Sequence, residues 1–217
     1  PLSDEFSLTY EKHSEMRYGE NPHQAAAAYK ISGDTSNSVL NAKIHQGKKL
    51  SYNNIMDADA AFSCLKEFEQ TACVIVKHAN PCGVSEGENM LEVYKQAFNA
   101  DSLSAFGGVI AMNKQCDELV AEEISKVFFE IVLAPSFTKE ALEIFSTKKN
   151  LRVLEIGSMK PREKLLEIRN VVGGIIVQET NTSVIQKQDL KTVTTAIPSD
   201  AEVETMLFGW KVLKHIK

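Results

Sequence analysis

Arginine is scarce in this sequence. Only Arg17, Arg152, Arg162 and Arg169 occur, and Asp plus Glu outnumber Lys plus Arg by 29 to 24. A net charge of −5 argues against a nucleic-acid binder, so any basic patch must be local. No apolar run approaches the ~20 residues that a membrane helix needs. The stretch PLSDEFSLTYEK lacks the charged n-region and the apolar h-region of a signal peptide. Together these absences point to the cytoplasm. Cys64, Cys73, Cys82 and Cys116 form no CxxC pair. That spacing speaks against a structural metal site or a small disulfide framework, and for free thiols in a reducing compartment. The phosphate-loop patterns GxGxxG and GxxxxGKS/T are also missing.

What is present suits a globular α/β chain. The length of 217 residues and the 43% hydrophobic fraction allow one ordinary domain, or two small ones, with a real core. The chain starts with Pro and stops at WKVLKHIK, inside a continuing pattern. A piece of a longer protein is therefore expected.

Residues 1–24 read as an irregular lead-in, residues 25–31 as a short strand or helix, and SGDTSNS as a loop. From Asn54, Ala58, Ala61, Phe62, Leu65 and Phe68 recur at helical spacing, with Asn53 or Asn54 as the cap. ACVIVKH, GGVIAM, FFEIVLAP, LRVLEI and RNVVGGIIVQE read as strands, the last interrupted by Gly173-Gly174. The continuous apolar run of ACVIVKH suits a parallel strand covered on both faces. EGENMLEVYKQAFNAD, CDELVAEEISKVF and TKEALEIFSTKK read as helices. Ser199 and Glu202 form a capping box after Pro198. Val203, Met206, Leu207, Trp210 and Leu213 then make an apolar stripe expected to face the core. Alternating strands and helices predict a mostly parallel sheet with helices on both faces. No linker interrupts residues 40–217.

Chemistry concentrates in a few stretches. In VIVKHANPCG, Lys77 and His78 leave a strand at its carboxyl end, where open parallel sheets bind ligands, and Pro81 and Gly83 turn the chain. Adjacent strand residues point to opposite faces, so both serve one site only if the strand stops between or just after them. A solvated strand end is the commoner outcome. RYGENPHQ offers Arg17, whose planar fork suits phosphate, and Tyr18, on a turn-rich loop. KKLSYNNIMDADAA places Asn53, Asn54 and Asp57 at a helix start, where an Asn caps the helix or bonds a carboxamide. SAFGG, with Phe106 and Gly107, lets a ligand approach the backbone. Glu130 stands inside an apolar run and needs a partner or an edge. Lys148 and Lys149 close a helix, where their default role is to complement its dipole.

Taken in order, RYGENPHQ, KKLSYNNIMDADAA, VKHANPCG, DSLSAFGG, FFEIVLAP and LFGWKVLKHIK resemble one family. It is the AICAR formyltransferase/IMP cyclohydrolase family of purine biosynthesis, AICAR being 5-aminoimidazole-4-carboxamide ribonucleotide. The resemblance covers nearly the whole chain. It implies a cytidine-deaminase-like three-layer α/β sandwich with a mixed, mostly parallel sheet. Residues 1–217 would be the first of two similar transformylase lobes. The cyclohydrolase domain and the second lobe, which holds most folate contacts, lie outside this sequence. The family pattern implies His78 as general base, Lys77 as the group that stabilises the transition state, and Arg17 and Tyr18 as nucleotide contacts. It implies further substrate contacts from Asn54, Phe106, Gly107, Glu130 and Lys149, the last toward phosphate.

The implied reaction moves a formyl group from 10-formyltetrahydrofolate, a co-substrate, to the aromatic 5-amino group of AICAR. That amine is a poor nucleophile and must lose a proton as it attacks. A neutral imidazole suits this task, and a positioned base contributes about 10²–10⁴-fold. Negative charge grows on the formyl oxygen, which an ammonium stabilises. No metal is needed. The zinc deaminases of this fold use H-x-E and P-C-x-x-C, whereas His78 is followed by Ala79-Asn80 and Pro81-Cys82 by no second Cys at that spacing. The resemblance further implies a homodimer in the full-length protein, with no nucleic-acid or membrane partner. The competing expectation is a non-catalytic nucleotide-binding or assembly module of the same fold.

Overall fold

The computed structural model describes residues 4–159 and 164–217. An antiparallel ribbon of β1 (Tyr10–Met16) and β2 (Ala26–Ile31) comes first. β3 (Lys43–Gln46), α1 (Tyr52–Leu65), β4 (Thr71–Lys77), β5 (Asn80–Gly87), α2 (Met90–Ala100), α3 (Ser102–Ala105) and β6 (Val109–Met112) follow. The chain continues through α4 (Glu118–Ile124), β7 (Ile131–Ala134), α5 (Lys139–Ser146) and β8 (Arg152–Glu155). It ends with β9 (Leu166–Val171), β10 (Gly174–Glu179) and α6 (Asp200–Leu213).

Six strands form one mixed sheet in the order β3-β8-β7-β6-β4-β5. Helices cover both faces. The period-2 alternation of β4 explains how. Cys73 and Ile75 face the core built with α2, α4 and α5, through Val93, Tyr94, Ala97, Ile124 and Phe145. Ala72, Val74 and Val76 face the opposite core, with Ala58, Ala61, Phe62 and Leu65 of α1. Each fully buried Val, Leu, Ile or Phe side chain among these contributes about 1.5–3 kcal/mol, and each Ala less.

The sheet is less parallel than the strand–helix alternation predicts. β6 pairs parallel with β7, and β7 with β8. β3–β8, β4–β5 and β4–β6 are all antiparallel. β4 has the expected apolar run and is covered on both faces, yet neither neighbour runs parallel to it. A two-residue connection sends the chain straight back from β4 into β5, and that hairpin sets the local direction.

Four further differences have physical causes. The lead-in holds β1, whose mostly exposed YEKHSEM carries no apolar alternation to betray it. RNVVGGIIVQE folds as an antiparallel hairpin outside the main sheet, its two-residue turn using Gly173 at φ 86°. The cap of α1 is Ser51, whose Oγ accepts from Asn54 N, while the Asn54 side chain accepts from Ser51 N. Lastly, α6 starts at the expected Ser199–Glu202 capping box but exposes most of its expected core stripe: Met206, Trp210 and Leu213 face outward, and Val203 is buried. The helix docks instead through Phe208, whose ring lies 5.6 Å from that of Phe68, and through Lys214 and His215, both bonded to the buried Glu67.

Candidate active site at the end of the main sheet

β4 stops at Lys77, and β5 starts at Asn80. Only His78 and Ala79 connect them, at φ 53° and 57°. Two positive φ values are what a type I′ hairpin turn requires, and Asn-Gly is the usual pair there. Pro81 and Gly83 therefore do not make the turn; they lie within β5, an edge strand that tolerates Pro. Gly83 has its own reason: an added Cβ would collide with the Ala97 carbonyl oxygen of α2. A bulge between Ile75 and Val76 further bends the pair.

Because β4 runs against β6, its carboxyl end meets the amino ends of the parallel strands. Val76 is level with Val109, Val109 with Ile131, and Ile131 with Arg152. Lys77 and His78 thus share one sheet end with Gly107, Gly108, Glu130 and Arg152. The cluster thus lies at the amino ends of the parallel strands and at the carboxyl end of the antiparallel β4, not beyond the carboxyl ends of parallel strands as expected.

At this end the Lys77 ammonium is held by backbone. Nζ donates to Phe106 O and Gly107 O, each at 3.0 Å. Gly107 has φ 69°, and its N–H donates to Phe128 O at 2.8 Å. The exposed Phe106 ring leans on Phe128 at 5.6 Å. An ammonium has three donors, so one N–H of Lys77 is left to point elsewhere. His78, the next residue, is exposed to solvent.

Glu130 lies just ahead of β7. Its Oε2 accepts from Asn54 Nδ2 at 2.6 Å, and Arg152 Nη1 stands 3.9 Å away. Asn54 is buried, its oxygen serving the α1 capping box and its nitrogen Glu130. So it caps and bonds a side-chain carboxylate at once. One turn along α1, Asp57 Oδ1 accepts from Ala79 N at 2.7 Å. Burial raises the Asp57 pKa, and Glu130 adds to this; the Ala79 bond and the charges of His78 and Lys77 oppose it. Asp57 thus lies within electrostatic reach of Lys77, His78 and Glu130. Composition and spacing gave it no role, although its i+3 offset from Asn54 puts both on one face of α1.

Lys149 lies past α5 rather than in its last turn, so a dipole role does not apply. It lines a cleft of about 250 Å³ with Lys126, Lys148, Phe128 and Ser125. Gln46 shapes this rim by donating to the carbonyls of Phe145, Lys148 and Leu151. Phe128 lines the cleft and also touches Phe106, so the Lys149 cleft adjoins the Lys77 loop.

Arg17 and Tyr18 lie on the loop that joins β1 to β2. The Arg17 guanidinium lies 5.7 Å from the centre of the Tyr18 ring. Their loop is closed on itself, by Gly19 N on Gln24 O and by Asn21 on the Gln24 side chain. Among the described residues, no group of three or more His, Cys, Asp or Glu is placed to hold a metal ion. Nor is any described helix long and apolar enough to cross a membrane.

The family described as AICARFT/IMPCHase bienzyme matches residues 1–217. Bifunctional purine biosynthesis protein PurH of Acetivibrio thermocellus is 48% identical over 220 residues, covering 99% of this chain and 43% of that protein. The protein of the same name from Leuconostoc citreum is 47% identical over 211 residues, 97% of this chain and 42% of its own length. A third, from Caldicellulosiruptor bescii, is 46% identical over 219 residues, 100% of this chain and 42% of its own length. The chain therefore spans about two fifths of the length of these relatives. A match along every residue, with relatives this similar, shows that the chain belongs to the AICARFT/IMPCHase bienzyme family.

Proposed function

We propose that this chain is the first transformylase lobe of a bifunctional purine-biosynthesis enzyme. In the full-length protein it moves a formyl group from 10-formyltetrahydrofolate to the 5-amino group of AICAR, giving the formylated nucleotide, which the same protein closes to IMP. The lobe has the cytidine-deaminase-like three-layer fold, and the whole protein works in the cytoplasm as a homodimer. One observation carries the catalytic part of this reading: β4 breaks directly after Lys77, leaving an ammonium with a spare N–H and an exposed imidazole on consecutive residues at one sheet end.

In this reading His78 takes a proton from the 5-amino group as that nitrogen attacks the formyl carbon; the bond from that carbon to N10 then breaks, and tetrahydrofolate leaves with a proton returned to N10. Lys77 turns its spare N–H toward the formyl oxygen, where negative charge grows. The Phe106 and Gly107 carbonyls hold the ammonium in place beforehand, so little reorganisation is needed at the moment of reaction. Glu130, fixed by Asn54, offers its free oxygen to a donor on the substrate. Lys149 takes the nucleotide phosphate with its neighbours Lys126 and Lys148. Arg17 and Tyr18 bind the same nucleotide, and no residue here is assigned to the folate.

The test is formyl transfer by the full-length protein with His78→Ala and Lys77→Met. Turnover should fall by about 10²-fold or more in each, with nucleotide still bound in calorimetry. Near-normal turnover of His78→Ala rejects the base assignment. The second reading is a nucleotide-binding or assembly module of the same fold without catalysis, for which the cationic cleft of Lys126, Lys148 and Lys149 would suffice. Nucleotide binding without formyl transfer by the full-length protein would favour it.

A further inference from the structure

The turn that carries His78 is strained and needs outside support. His tolerates the left-handed region better than most residues, but Ala has no side chain to bond its own backbone there. Ala79 nevertheless sits at φ 57°. Within the hairpin, the bond from Asn80 Nδ2 to His78 O, at 3.1 Å, braces only the carbonyl side. The Ala79 N–H is met from another element, by Asp57 Oδ1 of α1. The same face of α1 fixes Glu130 through Asn54. One helix face therefore sets both the acid and the turn at this sheet end.

We propose that Asp57 is a positioning residue: by accepting the Ala79 amide proton it holds the His78–Ala79 pair left-handed and so aims the His78 imidazole beside Lys77. This rests on the formyl-transfer reading above. Burial works against the Asp57 charge, so the carboxylate is held where solvation alone would not favour it. A hydrogen bond to an ionised acceptor is the stronger kind, which suits a turn that its own residues do not favour.

The experiment compares Asp57→Ala and Asp57→Asn in the full-length protein, with amide exchange of Ala79 followed by NMR in this chain. Asp57→Ala should lower kcat about tenfold or more, because a small misplacement of a reacting group is that costly. KM for the nucleotide should move little, and the Ala79 amide should exchange faster. Asp57→Asn keeps an oxygen acceptor at the same place and should recover part of both losses. Should Asp57→Ala fail to fold, Asp57→Leu fills a similar space without an acceptor and takes its place. Unchanged kcat with faster Ala79 exchange would overturn the proposal, since Asp57 would then serve stability alone. Lowered kcat with unchanged exchange would overturn it as well, because Asp57 would be acting on the substrate itself. If the wild-type protein transfers no formyl group, the functional reading fails separately; unchanged Ala79 exchange would then still overturn the positioning claim.

Discussion

Asn54 and Glu130, 76 residues apart, are joined by a 2.6 Å hydrogen bond from Asn54 Nδ2 to Glu130 Oε2. The bond ties the first turn of α1 to the amino end of β7. Asn54 is buried and uses its other end to accept from Ser51 N. Removing it therefore takes a hydrogen bond from two partners at once, although Arg152 still stands 3.9 Å from Glu130.

Asn54→Ala should cost about 2 kcal/mol, from the lost capping box and the lost hydrogen bond to the Glu130 carboxylate. In a chain of this size that lowers Tm by roughly 4–8 °C. Asn54→Asp should be worse still, because it sets a second carboxylate against Glu130. Calorimetric melting of the three proteins checks the order; an Asp variant as stable as wild type would mean that Asn54 does not face Glu130.

How much of this was legible beforehand depends on whether a feature is local. The β-branched run before Lys77 announced β4, and a polar pair at a strand end announced a possible site. The hairpin that follows was not legible, because His78-Ala79 lacks the Asn or Gly that marks such a turn. Its support comes from Asp57, 22 residues earlier, and no local pattern records that distance. The antiparallel setting of β4 follows from this same hairpin, which is why a parallel sheet was the natural expectation. Ser51–Asn54 was half visible: a cap at α1 was expected, but the choice among neighbouring Ser and Asn residues turned on which side chain Glu130 needed. For α6, helical periodicity found the helix and chose the wrong face. The bonds of Lys214 and His215 to Glu67 decide which side docks, and periodicity does not register them.

Gly107 offers a sharper test of the sheet end. A Cβ there would lie 3.0 Å from Lys77 Nζ and 3.5 Å from the Phe128 ring, and φ is +69°. Gly107→Ala should thus both strain the backbone, by about 1–2 kcal/mol, and push the ammonium from its two carbonyls. Formyl transfer by the full-length protein should fall further than stability does. The contrast is Gly173→Ala, also at positive φ (+86°) but with nothing within 4 Å of the new Cβ. It should cost stability alone, and equal kinetic losses in the two variants would disconnect the Lys77 seat from turnover.

Glu67, just past α1, ties it to the segment that follows α6. Its side chain is 6% exposed and meets Lys214 at 2.6 Å and His215 at 3.1 Å. Removing the carboxylate leaves the buried Lys214 ammonium without its counter-charge and takes a hydrogen-bond partner from His215, at about 3–5 kcal/mol. Glu67→Ala should therefore release α6 before the sheet melts. Hydrogen exchange would show Asp200–Leu213 losing protection while Thr71–Lys77 keeps it. Simultaneous loss in both segments would mean that α6 is integral to the sheet's own cooperativity.

Asp57 also makes a prediction about pH. Burial raises its pKa in the folded chain above the unfolded value of about 3.9. Between those two values the folded state binds more protons than the unfolded one, so this group's contribution to stability falls as pH rises. Above both, the penalty for its charge is fully present; below both, it is absent. Asparagine imitates the protonated acid and carries no such penalty. Asp57→Asn should therefore melt higher than wild type at pH 7, and the gap should close as pH drops below about 4. The other carboxylates titrate alike in both proteins, so the difference in Tm isolates this one. A gap that widens toward low pH would mean that the folded chain favours the ionised form, and that the Ala79 bond outweighs the burial of the carboxylate.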